Sequence, residues 1–339
     1  MLETPPRLLF FGAALYLLLT LGSPQARGGE GWDQIATFGS TGSALEQFLF
    51  PYDLVVRNDL LYVADSNNNR VQVFDLEGQF QFAFGETGVG DGQFRRDRGI
   101  GASWADGASA TLFISDAKND RVQEFTAAGV HLRSWGAIGD GPTEFFRPRG
   151  LTGAADSSIV IGDADNDRVK VYRPDLSIRA IFGGRGSANG KFWSPHDLEV
   201  STDGTIYVVD TFNHRVQCFS LDGQFLGKFG EYGAGDGEFV HPKAITIDAE
   251  GNLFVADTGD SQFDVERIQK FSPTGEWLTT FGSPGSGQGQ LRFVTGLDFD
   301  TMGRLFVADA YNDRITVWAT RTVAVPPPSL SSFKARFGG

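Results

Sequence analysis

One phrase recurs six times along this chain. It reads LYVADSNNNRVQVF from Leu61, LFISDAKNDRVQEF from Leu112, IVIGDADNDRVKVY from Ile159, IYVVDTFNHRVQCF from Ile206, LFVADTGDSQFDVERIQKF from Leu253 and LFVADAYNDRITVW from Leu305. Its aspartates, Asp65, Asp116, Asp163, Asp210, Asp257 and Asp309, stand 51, 47, 47, 47 and 52 residues apart. An aromatic-glycine pair keeps the same count: Phe38-Gly39, Phe84-Gly85, Trp135-Gly136, Phe182-Gly183, Phe229-Gly230 and Phe281-Gly282. The first pair precedes the first aspartate phrase and none follows Trp318, so the chain opens with a strand that its last repeat lacks. At 339 residues, two ordinary domains or one large repeat fold both fit, and the period selects the second.

Each repeat reads as four short strands: one after a turn, as in DLEV or AITI; the LYVAD type; the RVQVF type; and one ending in the aromatic-glycine pair. The 44 glycines and 30 phenylalanines fit many turns and many short aromatic strands. Four-stranded units at this period are β-propeller blades, each burying its faces against its neighbours. The expectation is an all-β fold, a six-bladed propeller over residues 32–318, with a strand near Ile35–Phe38 completing the sixth blade and removing an open sheet edge. The fifth aspartate lies ten residues from its arginine instead of five, through an acidic insertion in TGDSQFDVE. The stretch ASWADGASAT from Ala102 lengthens a different hairpin, on the opposite face. Residues 319–339, with their proline run, read as a disordered tail.

The D-x-x-N-x-R hairpins resemble those of the NHL-repeat family of six-bladed propellers, from about Trp32 to Trp318. The resemblance implies recognition of protein or RNA through a propeller face. Some relatives carry that face behind a RING finger, which a chain with one cysteine does not have. Fold alone does not assign activity.

The loop from each fourth strand to the next blade has constant length. Fourteen residues after each aromatic stand Tyr52, Arg98, Arg149, His196, Lys243 and Thr295. All six belong where the chain enters an innermost strand, at one mouth of the channel. Four consecutive members are Arg, Arg, His and Lys, a cationic set on a chain of net charge −13. Such a mouth attracts anions, and its arginines suit a carboxylate or phosphate. The competing reading leaves these side chains solvated or paired with Asp53, Asp97 and Asp197.

The turn PHDL with VVDTFNHRVQCF also resembles a blade of peptidyl-hydroxyglycine amidating lyase, whose zinc is held by three histidines in Pro-His-x-(Leu/Ile) turns. A catalytic zinc takes three protein ligands. Here only His196 matches; His241 is one position off, His214 lies in a hairpin, and His131 belongs near the other face. DADNDR from Asp163 lacks the glycine and the closing glutamate of a calcium loop, while Asp260, Asp264 and Glu266 form a weak calcium candidate. The six Asp–Arg pairs read as architecture, since catalysis does not need one constellation six times.

Arg7 followed by the apolar run Leu8–Leu21 reads as a signal peptide or N-terminal anchor over residues 1–26, with Ala26 at the cleavage position. One cysteine, Cys218, excludes an intrachain disulfide and is expected to be buried and inert. The resulting reading is an exported, monomeric, non-enzymatic scaffold without cofactor. It binds an anionic small ligand or a protein at the channel mouth and meets a membrane only if the N-terminal segment is retained. The alternatives are a metal-dependent lyase or hydrolase of the amidating-lyase type and an RNA-binding NHL domain, which export and the acidic balance disfavour.

Overall fold

The computed structural model describes residues 31–103 and 110–321, except the side chain of Asp97. The expected signal or anchor segment, the middle of the Ala102 hairpin and the tail beyond Arg321 lie outside these residues. Six four-stranded antiparallel sheets follow one another around a ring. Their innermost strands are Pro51–Arg57, Asp97–Ala102, Leu151–Gly153, Pro195–Val200, His241–Ile247 and Val294–Phe299, each touching the next and the last touching the first. These define blades 1 to 6. Trp32–Phe38 runs antiparallel to Arg314–Thr320 and completes blade 6. Closure therefore uses three more residues than the expected Ile35–Phe38, and the last strand passes Trp318 by two.

The core is divided among the blade junctions. Six clusters of buried side chains occupy the six junctions, as where Tyr62, Val71 and Val73 of blade 1 meet Ile100, Leu112 and Phe125 of blade 2. Alternation along each strand supplies the two faces that neighbouring blades cover. The aromatic-glycine pair has a local cause. Gly39 adopts φ +91°, and a Cβ there would stand 2.5 Å from the ring of Phe48, which plugs the loop.

The repeated aspartates close each hairpin onto the loop before it. Asp65 accepts from the Leu49 N–H, Asn68 and Arg70, while Arg70 donates onward to the Ala44 and Gln47 carbonyls. All six aspartates are buried and meet their arginines at 2.7–3.2 Å. Arg267 still reaches Asp257 across the ten-residue spacing, so the insertion bulges outward without breaking the tie. Cys218 departs from expectation: it is half-buried, because Gly227 stands opposite it in the next strand and offers no side chain to cover it. Burial still pushes its thiol up to about 11.

Candidate functional site

Five of the six equal-offset residues lie at the starts of the innermost strands and Arg149 two residues ahead of its own, and the side chains of five of the six are shown in mutual contact or electrostatic reach. Blades 1 and 4 face each other across the ring, yet the Tyr52 hydroxyl reaches His196 Nε2 at 2.8 Å. The two rings are nearly parallel, with centroids 5.6 Å apart. Together they form a bar across the channel. The hydrogen bonds run in one direction: Arg98 Nη1 donates to the Tyr52 hydroxyl at 3.1 Å, the hydroxyl donates to His196 Nε2, and His196 Nδ1–H donates to the Lys243 carbonyl at 3.1 Å. This order requires a neutral imidazole. Burial, with Lys243, Arg149 and Arg98 nearby, holds the His196 pKa well below its usual value. Both ring nitrogens are therefore engaged, and His196 serves as a crossbar.

Arg98 and Arg149 flank one side of the bar and Lys243 the other. The Arg98 guanidinium lies 4.9 Å from the Tyr52 ring centroid. Arg149 donates to Ser194 Oγ and meets Asp165 at 3.4 Å, while its buried Nε has no partner. Lys243 Nζ stands 5.6 Å from the ring centroids of both Phe212 and Phe293. Among the described residues no carboxylate is in ion-pair range of Arg98 or Lys243. Burial, then Arg149 and Arg98, push Lys243 down to about 7. Thr295 is buried at the sixth position, its hydroxyl without a partner among the described residues.

Asp53 and Asp197 do not neutralise this set; Asp97's side chain lies outside the described residues. Asp53 accepts from the Leu54 and Ile100 N–H groups, and Asp197 from Ile245. Deeper in, Asp298 accepts from Val56 and Phe299, and Glu199 from Val200 and Thr152. Innermost strands are sheet edges whose N–H groups lack a strand partner, and these carboxylates supply the acceptors. Neighbouring blades leave room with glycine: a Cβ on Gly150 would stand 2.3 Å from Asp197 Oδ1, and one on Gly296 2.5 Å from Asp53 Oδ1. Below lies a cavity of about 280 Å³, lined by Val55, Thr152, Glu199, Thr246 and Asp298 among others.

The fifth-blade insertion lies on the cationic face. Tyr232 donates to Asp260, and Glu266 accepts from the Phe293 N–H. Asp260 also takes the Gln262 and Phe263 N–H groups, so these carboxylates are already used by the loop. Ser103, flanking the other lengthened hairpin, lines the opposite cavity. Around the mouth stands a collar that counting at a single offset misses. Arg185 covers Trp193, Arg147 covers Phe146 and Arg292 covers Tyr311, with Phe50 and Phe293 between. Counting eleven and twelve residues past each aromatic, instead of fourteen, finds most of it: Phe146, Trp193 and Arg292, then Phe50, Arg147 and Phe293.

This architecture defines a six-bladed β-propeller, with Arg98, Arg149 and Lys243 near one end of the channel and Asp53, Asp197, Asp298 and Glu199 further in. The family model described as NHL repeat matches residues 48–74, in blade 1, and 192–219, in blade 4. Protein brain tumor of Drosophila melanogaster is 33% identical over 117 residues, 34% of this chain and 10% of that protein. The match thus spans about a tenth of that relative's length. Virginiamycin B lyase from Staphylococcus aureus superposes with a TM-score of 0.57 at 13% identity, covering 85% of this chain and 99% of the lyase. A gluconolactonase from Xanthomonas campestris does so at 0.60 and 15%, covering 87% and 99%. At such identities the likeness is one of fold.

Proposed function

We propose that this chain is a binding scaffold whose upper face receives an anionic ligand or an acidic protein segment above the Tyr52–His196 bar. NHL propellers are a protein-binding scaffold type, and the upper mouth is the charged feature that departs from their repeat. The observation that carries the reading is the set Arg98, Arg149 and Lys243: three cations converge, and among the described residues only Arg149 has a carboxylate in ion-pair range. Mutual repulsion in a half-buried site is relieved by a bound anion. The aromatic collar adds flat surfaces for the rest of the ligand.

Titration calorimetry with citrate and with a hexaglutamate peptide at low salt tests this. Binding of either probe is expected, weakening with salt, with affinity falling about tenfold or more in Arg98→Ala/Arg149→Ala. Failure of both probes to bind the wild-type protein removes the proposal. Salt-sensitive capture of single-stranded RNA, lost in the same variant, moves it to nucleic acid. Export rests on Arg7 and the run Leu8–Leu21. Expression in a secreting host followed by N-terminal sequencing tests it, with Arg27 as the expected first residue.

A further inference from the structure

We propose a second anion site, distinct from the central mouth, in the upper cleft between blades 1 and 2, with the chemistry of a phosphate group. The cleft encloses about 280 Å³, and its walls include Ser66, Asn69 and Thr87 on one side and Arg95, Arg96 and Lys118 on the other. None of these three cations has a carboxylate in ion-pair range among the described residues. Their backbones are nevertheless fixed. The Arg95 N–H donates to the hairpin carboxylate of Asp116, its carbonyl accepts from the Lys118 N–H, and the Arg96 N–H donates to Asn69 Oδ1 at 2.6 Å. Three cationic heads, without an ion-pair partner among the described residues, thus extend from an anchored frame.

A second, independent feature is Ser66, which is 0% exposed and whose Oγ has no hydrogen-bond partner among the described residues. The same repeat position in blades 4 and 5 shows the usual outcome. Thr211 donates to the Pro242 carbonyl at 2.8 Å, and Thr258 to the His241 carbonyl at 3.1 Å. Blades 2, 3 and 6 carry Ala117, Ala164 and Ala310 there, with no hydroxyl to satisfy. Of the three hydroxyl-bearing residues at this position only Ser66 keeps an unused donor among the described residues, and it lines the cleft. A buried hydroxyl without an acceptor is unfavourable, and an incoming oxygen would satisfy it. Thr87 Oγ1 accepts from Asn69 Nδ2, which leaves its own proton to donate.

Charge distribution separates this cleft from its equivalent one blade on. There Arg147 meets Asp165, which occupies the repeat position of Lys118. Neutralisation in one junction and accumulation in the next distinguish a ligand site from repeat decoration. Three cations and two hydroxyl donors around a small concavity suit a dianion with several acceptor oxygens, the description of phosphate, free or as a monoester. The volume leaves space for a small carrier beside the phosphate.

The test uses inorganic phosphate and glycerol 3-phosphate as probes, titrated by calorimetry into the Arg98→Ala/Arg149→Ala/Lys243→Ala protein, which lacks all three cations of the central mouth. Binding of at least one probe is expected to persist there. Adding Arg95→Ala/Lys118→Ala is expected to weaken it about tenfold or more, and adding Ser66→Ala about threefold or more. Ser66→Ala is also expected to leave the melting temperature unchanged or raised, so weaker binding is not misread as unfolding. Tighter binding of glycerol 3-phosphate assigns a monoester, and equal or tighter binding of phosphate assigns the free ion. Absence of binding by both probes in that background overturns the proposal, as does binding that is indifferent to Arg95 and Lys118. Neither result bears on the central mouth, which the citrate and peptide titrations decide separately.

Discussion

The two ends of the channel are built from the same innermost strands, a few residues apart, and use acidic and basic side chains for opposite purposes. Below, Asp53, Asp197, Asp298 and Glu199 are committed: each accepts backbone N–H groups, and Asp53, Asp197 and Asp298 thereby tie one blade to the next. Above, Arg98 and Lys243 have no carboxylate among the described residues, and Arg149 has one at 3.4 Å. Charge that completes the backbone's hydrogen bonding is architecture even when it looks like a site. Charge left without a counter-ion is available to a ligand.

The sharpest way to break this comparison is Asp197→Ala beside Asp197→Asn. Alanine removes the acceptor for the Ile245 N–H, which is expected to lower stability by about 1–3 kcal/mol in chemical denaturation. Asparagine keeps an acceptor oxygen and removes a buried charge, so little loss is expected. Equal damage from both would mean that the charge itself matters, and the lower end would then have to be reconsidered as a site. At the upper end, Arg98→Ala/Arg149→Ala is expected to behave inversely, losing anion affinity while its melting temperature holds or rises.

Titration gives a smaller and more diagnostic effect, of opposite sign at the two ends. Burial, aided by Asp298 and Asp197, raises Glu199 from 4.5 to about 8. The folded state therefore holds a proton that the unfolded chain releases, and this contribution is full below about pH 4.5 and lost as pH rises through about 8. Melting temperature is expected to decline from pH 6 to pH 8.5, and Glu199→Gln, which keeps the acceptor but cannot ionise, to flatten the decline. Lys243, lowered from 10.5 to about 7, acts the other way: its contribution is present above about pH 10.5 and lost as pH falls through about 7. Anion affinity needs the charged amine and is expected to fall as pH rises through about 7. Calorimetry in two buffers of different ionisation heat should detect proton uptake on binding. No uptake would remove Lys243 from the site.

The smallest expected effect comes from Tyr52→Phe. It removes the middle of the relay and leaves His196 Nε2 and Arg98 Nη1 without their partner, with an expected loss of about 0.5–1.5 kcal/mol. The imidazole should then titrate differently, which NMR of the His196 ring would follow. An unchanged titration would mean that burial and the neighbouring cations, not the bar, set its state.

The propeller was legible because a blade is local. Alternation within a strand, the Asp-x-x-Asn-x-Arg hairpin and the glycine under Phe48 all act within about one repeat, and six copies make the pattern hard to mistake. Membership of the ring was legible for a similar reason, since a constant loop length returns each chain entry to the same place. Asp53 and Asp197 were legible only as counter-ion candidates, and the belt they form with Glu199 and Asp298 was not, because the four occupy two different offsets and only some blades. Their common task appears once neighbouring edge strands are seen to lack acceptors. The Ser66 cleft escaped for a related reason: a serine among alanines and threonines carries no signal until its missing partner is visible.

The amino-acid order by itself determined the number of blades, how the ring closes and which residues stand where the chain enters each innermost strand, because short-range patterning and loop length control all three. Only the tertiary structure decided that Tyr52 would meet His196, 144 residues away, that the imidazole would be neutral, and which cations would be left without counter-ions. Those outcomes depend on distances across the closed ring and on the water excluded from it, and neither is written in any single repeat.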